Sequence, residues 1–384
     1  MDKTKDGLFT GLMASCAFGL EGVLAAEIRA LSMEGVSVSD ARVTFSGAMD
    51  EAMKANMYLR TADRIYLILS QFPVESFDML FEGVHALRWA EILSSDAAFP
   101  VRAKSVHSRL FSVPDCQAIA KKAIVESLKR TYHSDWFPET GPVYTIDVAL
   151  LNDIATISLD TSGVGLNRRG YRARTAEAPL RENLAAGLIL LSGWRGDKPF
   201  LDPFCGSGTI TIEAALIGTN IAPGLLRNFA IEGWAQAEPR IWAEEREKAK
   251  EGIRCEKPAI YASDIDGDVI GIAKENAARA GVDFIRFLQA PVALVKTEGK
   301  RGTIVCNPPY GERTGDMKQV HRACKGLGEL FTASGDWTCC ALSAFPDFER
   351  WFGKQADRKR KLYNGNMRCD YYQYYPNLKK NKTI

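Results

Sequence analysis

At 384 residues the chain is long enough for two or three domains, each with a sizeable core. Its 49 Lys and Arg against 47 Asp and Glu leave a formal charge of +2, which excludes a global field driving it onto nucleic acid; any such binding must come from local basic clusters. Nine cysteines without a C-x-x-C pair, beside four histidines, argue against a zinc site and for reduced thiols.

Lys3 and Lys5 precede an apolar stretch over residues 8–16 that has the outline of a short leader. A first β-strand accounts for it better, because Phe18-Gly19-Leu20 leads into an amphipathic helix over 21–31, with Leu20, Leu24, Ile28 and Leu31 at helical spacing. No run approaches the length of a membrane span, so a cytoplasmic protein is expected. A second strand is predicted at 41–45, with a helix through Tyr58. Strands at 64–69 and 99–105, a helix over 115–130 and strands at 143–150 and 154–160 follow, the last two joined through Asn152-Asp153 as a tight hairpin. This half carries no catalytic grouping and reads as a substrate-binding extension.

Its basic clusters are the candidate contacts to nucleic acid. Arg102 and Lys104 lie in one, with His107 and Arg109, and Lys121-Lys122 forms another. The connector over 165–174 is basic and Gly-punctuated and includes Tyr171, so Arg168, Arg169 and Arg172 are candidates to pair with phosphates or stack on bases. The other reading of this connector is a linker docked on neighbouring acids. The tail lysines Lys379, Lys380 and Lys382 read as a solubilising end.

Beyond the connector, Pro199-Phe200-Leu201-Asp202-Pro203-Phe204-Cys205-Gly206-Ser207-Gly208-Thr209-Ile210 is a short apolar strand running into a Gly-rich turn, with a helix predicted from Thr211. Gly206 and Gly208 let the backbone pass close to a ligand, and the helix N-terminus offers unpaired N–H groups. Thr211 stands where a dinucleotide fingerprint needs its third Gly, and no phosphate-binding Lys is present. Asp202 at the strand end would repel a pyrophosphate but can accept a hydrogen bond from a cationic amine, which favours S-adenosylmethionine over NAD or ATP. An insertion is expected around 234–250, because the next strand, 259–266, comes later than a compact βαβ unit allows. Asp264 at its end suits ribose hydroxyls, whereas Asp266 is as well placed to cap the helix from Val269.

Cys306-Asn307-Pro308-Pro309-Tyr310 follows the buried-strand run Gly302-Thr303-Ile304-Val305. Proline removes a donor and fixes φ, so the pair ends sheet pairing and holds the chain rigid. The Asn307 side-chain carbonyl and the Pro308 backbone carbonyl can then converge on a planar –NH2 group, and Tyr310 offers a face for a planar substrate. Accepting both amine hydrogens frees the nitrogen lone pair to attack an electrophilic methyl.

Taken in order, the segments Asp202 to Thr209, Ser263-Asp264-Ile265-Asp266 and Asn307-Pro308-Pro309-Tyr310-Gly311-Glu312-Arg313 resemble the THUMP-containing guanine-N2 RNA methyltransferases, above all the bacterial 23S ribosomal RNA group often labelled N6-adenine-specific DNA methylases. Phe18-Gly19-Leu20-Glu21, the segment Lys104 to Leu110, Ala178-Pro179-Leu180 and Lys361-Leu362-Tyr363-Asn364-Gly365 extend the likeness over nearly the whole chain. The resemblance implies an α/β, Rossmann-like methyltransferase domain over 165–384, preceded by a ferredoxin-like piece (1–60) and a THUMP RNA-binding domain (61–164). It implies S-adenosylmethionine as cofactor, held by Asp202, Phe204, Gly206, Ser207, Gly208, Thr209, Asp264, Ile265 and Leu180, and Asn307, Pro308 and Tyr310 as the catalytic group. Ala290 occupies the place where such enzymes carry an adenine-binding acid, and the Gln289 amide oxygen is the expected substitute. The expected partner is RNA, ribosomal RNA first, with no metal and no membrane. A tRNA guanine-N2 enzyme, an adenine-N6 DNA methyltransferase, a glutamine-amide methyltransferase and a non-catalytic RNA-binding or assembly factor remain open, as does the oligomeric state.

Overall fold

The computed structural model describes residues 8–172, 180–310 and 317–376. The candidate positions Lys3, Lys5, Arg174, Ala178, Pro179, Gly311, Glu312, Arg313, Lys379, Lys380 and Lys382 lie outside the described residues. Contacts divide the chain into two units, the first from residues 8–16, 24–166 and 227–247, the second from 17–23, 167–226 and 248–376.

The first unit contains β1 (Gly11–Cys16), α1 (Glu21–Ala30), β2 (Ser37–Ser39), β3 (Arg42–Phe45), α2 (Met49–Tyr58), β4 (Ala62–Pro73), α3 (Phe77–His85), β5 (Val101–Val106), α4 (Val113–Tyr132), β6 (Thr145–Leu151) and β7 (Ile154–Asp160), with the start of α1 falling in the second unit. Its seven strands form one sheet in the order β2-β3-β1-β4-β7-β6-β5. The leader-like stretch becomes β1, an interior strand in which Leu12, Met13 and Ala14 are buried. β4 bonds to β1 on one edge and β7 on the other, so the proposed pieces 1–60 and 61–164 share a single sheet. Asn152 and Asp153 both take positive φ (51° and 58°), the two-residue turn whose twist matches a hairpin. β2 was not anticipated: its Ser-Val-Ser is exposed throughout and lacks apolar alternation.

The remaining elements are α5 (Glu182–Ser192), β8 (Phe200–Asp202), α6 (Thr209–Gly218), α7 (Pro239–Glu251), β9 (Ile260–Asp264), α8 (Gly267–Arg279), β10 (Arg286–Gln289), β11 (Arg301–Cys306), α9 (Met317–Ala333), β12 (Asp336–Ser343), α10 (Phe348–Phe352), β13 (Arg358–Asn364) and β14 (Met367–Tyr374). α6 begins two residues earlier than expected, directly on Gly208. The insertion holds most of α7, and its residues up to 247 belong to the first unit, where the Trp234 indole N–H donates to the Val143 carbonyl at 2.9 Å and its ring stacks on Tyr144.

The second unit's sheet runs β10-β9-β8-β11-β12-β14-β13, parallel from β10 to β12, with β14 inserted antiparallel between β12 and β13. From β8 the chain winds outward to β9 and β10, then crosses back to the opposite side of β8 at β11. Strand order therefore reverses between β8 and β11, which opens a crevice at the strands' carboxyl ends. Below it Ile304, Cys306, Trp337 and Cys339 pack against Leu327 and Phe348, and all nine cysteines are free. Among the described residues no helix is long and apolar enough to cross a membrane, and no group of three or more His, Cys, Asp or Glu is placed to hold a metal ion.

Candidate active site

The crevice contains a cavity of about 850 Å³, a size suited to a nucleoside-bearing ligand. One wall is the turn after β8. Asp202 ends that strand fully buried; its Oδ1 accepts the Phe204 N–H at 3.0 Å, while Oδ2 has no partner. Burial pushes the Asp202 carboxyl well above the ordinary carboxylate range; the Phe204 N–H opposes that rise and the neighbouring Asp264 charge adds to it. A buried, unpaired carboxylate oxygen facing a cavity is costly unless a donor arrives. Gly206 takes φ +49° and lines the cavity with Ser207, Thr209 and Phe204.

Asp264 ends β9 and ties two loops together: its Oδ2 accepts the Gly206 N–H at 2.9 Å and its Oδ1 the Asp266 N–H at 3.1 Å. Ile265, 70 % exposed, stands beside it on the cavity wall. Asp266 caps α8 by accepting the Asp268 N–H at 2.8 Å. Asn276, which sequence reading passed over, is buried in α8 and donates to the Ser207 carbonyl at 3.1 Å, fastening the loop from behind. Only the pairing of α8 with this loop reveals it, since a lone Asn within a helix carries no signal.

The opposite wall follows β11. Asn307, Pro308, Pro309 and Tyr310 all line the cavity, and the buried Asn307 Oδ1 has no hydrogen-bond partner. The Tyr310 hydroxyl receives the Asn364 Nδ2 at 3.3 Å. A third wall was not foreseen: Pro291, Val292 and Ala293 after β10, with Gln319, Arg322 and Lys325 from α9.

Four expectations are corrected. Gln289 does not line the cavity; its side chain is exposed and its amide nitrogen donates to the Ile265 carbonyl at 3.3 Å. Residues 291–293 take that stretch of wall. Gly208 also stays off the wall: it takes φ +86° at the start of α6, and an added Cβ would lie 3.1 Å from Ala273, so its small size serves helix packing. Arg169 is buried in bidentate contact with Glu213, both contacts at 3.4 Å, and therefore cannot reach RNA. Arg172 pairs with Glu182 and donates to the Leu180 carbonyl at 2.8 Å and the Thr209 hydroxyl at 3.0 Å, bracing two cavity residues from behind. The connector is thus docked on neighbouring acids through Arg169, which is buried on Glu213, and Arg172, which pairs with Glu182. Arg168 is exposed, as are Arg102 and Lys104, which lie 3.5 Å from Asp160 and 3.3 Å from Asp147 on the first unit's sheet.

Asp202→Asn is expected to weaken S-adenosylmethionine binding about ten- to a hundredfold, the worth of one charge-assisted hydrogen bond. The sign with pH follows from the raised carboxyl: affinity falls as pH drops through that value, because the protonated acid no longer attracts a cationic amine. Calorimetry across pH checks both points, and the Asn variant should lose the pH dependence.

A parallel sheet with an antiparallel β14, a Gly-bearing turn after the first strand, acids ending the first two strands and Asn-Pro-Pro-Tyr ending the fourth define an S-adenosylmethionine-dependent methyltransferase. The RMKL-like methyltransferase domain matches residues 169–373, the RlmL ferredoxin-like domain 11–66 and the THUMP domain 74–160, and the chain belongs to this methyltransferase family. YpsC of Bacillus subtilis, which carries the name of an RNA methyltransferase, is 45% identical over 372 residues, 96% of each chain. The structure of SMU.472, described as a methyltransferase in complex with SAH, is 42% identical with a TM-score of 0.90, covering 98% of this chain and 99% of that one. A Listeria monocytogenes structure described as a predicted N6-adenine-specific DNA methylase is 43% identical with a TM-score of 0.91, covering 96% of each.

Proposed function

We propose that this methyltransferase acts on RNA and transfers its methyl group to the exocyclic N2 amine of a guanine, in 23S ribosomal RNA. The observation that carries this reading is the buried, unpartnered Asn307 Oδ1 on the cavity wall beside Pro308 and Tyr310. A lone acceptor in such a place needs a donor, and an amine is a donor with two hydrogens. Support for RNA comes from the THUMP match and from the name carried by YpsC. The exposed Arg102, Lys104 and Arg168 remain the proposed contacts to phosphate in the flanking regions.

The bound cofactor supplies an electrophilic methyl on a sulfonium. Asp202 and Asp264 are proposed to hold it through its amine and ribose, with Leu180, Phe204, Gly206, Ser207, Thr209 and Ile265 shaping the pocket. The guanine is flipped from its helix, stacks on Tyr310 and presents N2 to Asn307 Oδ1 and the Pro308 carbonyl. Those two acceptors orient the amine in line with the methyl, and orientation supplies most of the rate. The product sheds its proton to water, so no strong base is required.

RNA from a deletion strain, methylated in vitro with labelled cofactor and digested to nucleosides, should release N2-methylguanosine mapped to the large ribosomal RNA. Label in N6-methyladenosine, in transfer RNA or only in DNA would refute the corresponding part of the reading.

A further inference from the structure

The β13–β14 hairpin overhangs the carboxyl edge of the second unit's sheet. β14 last pairs with β12 at Asp370, opposite Ser343, whereas the β13–β14 pairing continues through Leu362 with Cys369, Tyr363 with Arg368 and Asn364 with Met367. The overhang thus projects at the end where the cavity opens. It reaches that cavity: Asn364 Nδ2 donates at 3.3 Å to the hydroxyl of Tyr310, which lines it. Leu362 is fully buried and anchors the strand, while Lys361 and Arg368 are exposed and join no ion pair among the described residues. The Tyr363 ring is flanked by the Lys361 ammonium, 5.4 Å from its centroid, and by Phe18, edge-on at 6.1 Å and 51 % exposed.

Two open cations, a half-exposed tyrosine, an exposed phenylalanine and an amide, grouped on one projecting turn, are the chemistry of single-stranded nucleic-acid recognition. Cations take phosphates, and aromatic faces take unstacked bases. A solvated turn needs none of the aromatic groups, and Phe18 arrives from a segment more than three hundred residues away in sequence. We propose that this overhang grips the unpaired RNA nucleotides flanking the target base, and that Asn364 is a positioning residue that sets the Tyr310 ring on which the base stacks. The inference rests on the RNA-methylation reading above. Flipping one base leaves its neighbours unstacked beside the cavity mouth, and the overhang is placed to receive them.

The test uses the full chain and RNA from a strain lacking it as methyl acceptor. Lys361→Ala with Arg368→Ala should lower the slope of log affinity against log salt by about 1.4, two single-strand phosphate contacts at about 0.7 each. Tyr363→Ala should raise KM for RNA about tenfold with a smaller change in kcat, the scale of one lost base stack. Asn364→Ala should lower kcat instead, and Asn364→Gln, which keeps the donor, should recover part of it. S-adenosylmethionine affinity by calorimetry and the unfolding midpoint should stay at wild-type values in all four, which separates RNA contact from structural damage. Wild-type KM and salt slope in both the paired-cation and Tyr363 variants would overturn the proposal while leaving RNA methylation intact. Loss seen only with ribosomal subunits and not with protein-free RNA would assign the hairpin to a protein partner and overturn it equally. If the wild-type chain methylates no RNA, the parent reading itself falls.

Discussion

Asn307→Ala is expected to lower kcat for methyl transfer by about 10²-fold or more while leaving S-adenosylmethionine affinity unchanged. The Asn307 Oδ1 is buried and unpartnered on the cavity wall; in the role proposed for it, its interaction forms only when an amine enters, and removing it takes away stabilisation at the reacting centre. Asp202, Gly206 and Asp264, on the opposite wall, are untouched by the change. Single-turnover transfer rates and calorimetric cofactor titration together check the split. A variant with wild-type turnover would remove Asn307 from the site chemistry. Asn307→Asp is the informative companion, because it keeps an acceptor at nearly the same position and should retain more activity than Ala.

The second large effect is on folding. Arg169→Met should destabilise the second unit by about 3–5 kcal/mol, because Glu213 is fully buried and loses its bidentate counter-charge. The double variant Arg169→Met with Glu213→Leu should recover much of that loss, since apolar groups of similar volume replace a buried pair at little net cost. Denaturant unfolding of the two variants checks this prediction. A phosphate-contacting Arg169 would instead give normal stability and a weaker salt dependence of RNA binding, and the two outcomes are opposite.

What the sequence reveals of the fold varies along the chain, for a physical reason. Residues whose placement is set by local chemistry were legible. Proline pairs end strands, a glycine turn after an apolar strand opens onto a helix N-terminus, and an acid at a strand's end faces the crevice; each needs only near neighbours to be recognised. Asn307, Pro308, Tyr310, Asp202, Asp264 and the Asn152-Asp153 turn fall in this class, as does the capping role of Asp266. The family resemblance added the domain order, whereas the residues after β8 already favoured S-adenosylmethionine.

Residues whose role depends on a partner far along the chain were not legible. Arg169, Arg172 and Arg168 look alike in sequence, yet Arg169 is buried on Glu213, Arg172 is half-buried on Glu182 and Arg168 is exposed. Gln289 and Asn276 differ in the same way: Gln289 lies off the cavity wall with its amide donating to the Ile265 carbonyl, and the approach of α8 to the loop after β8 gives Asn276 the Ser207 carbonyl. Charge and hydrogen-bonding capacity are written in the residue type. Whether that capacity is spent on the protein or left for a ligand depends on burial, and burial is a property of the packed fold.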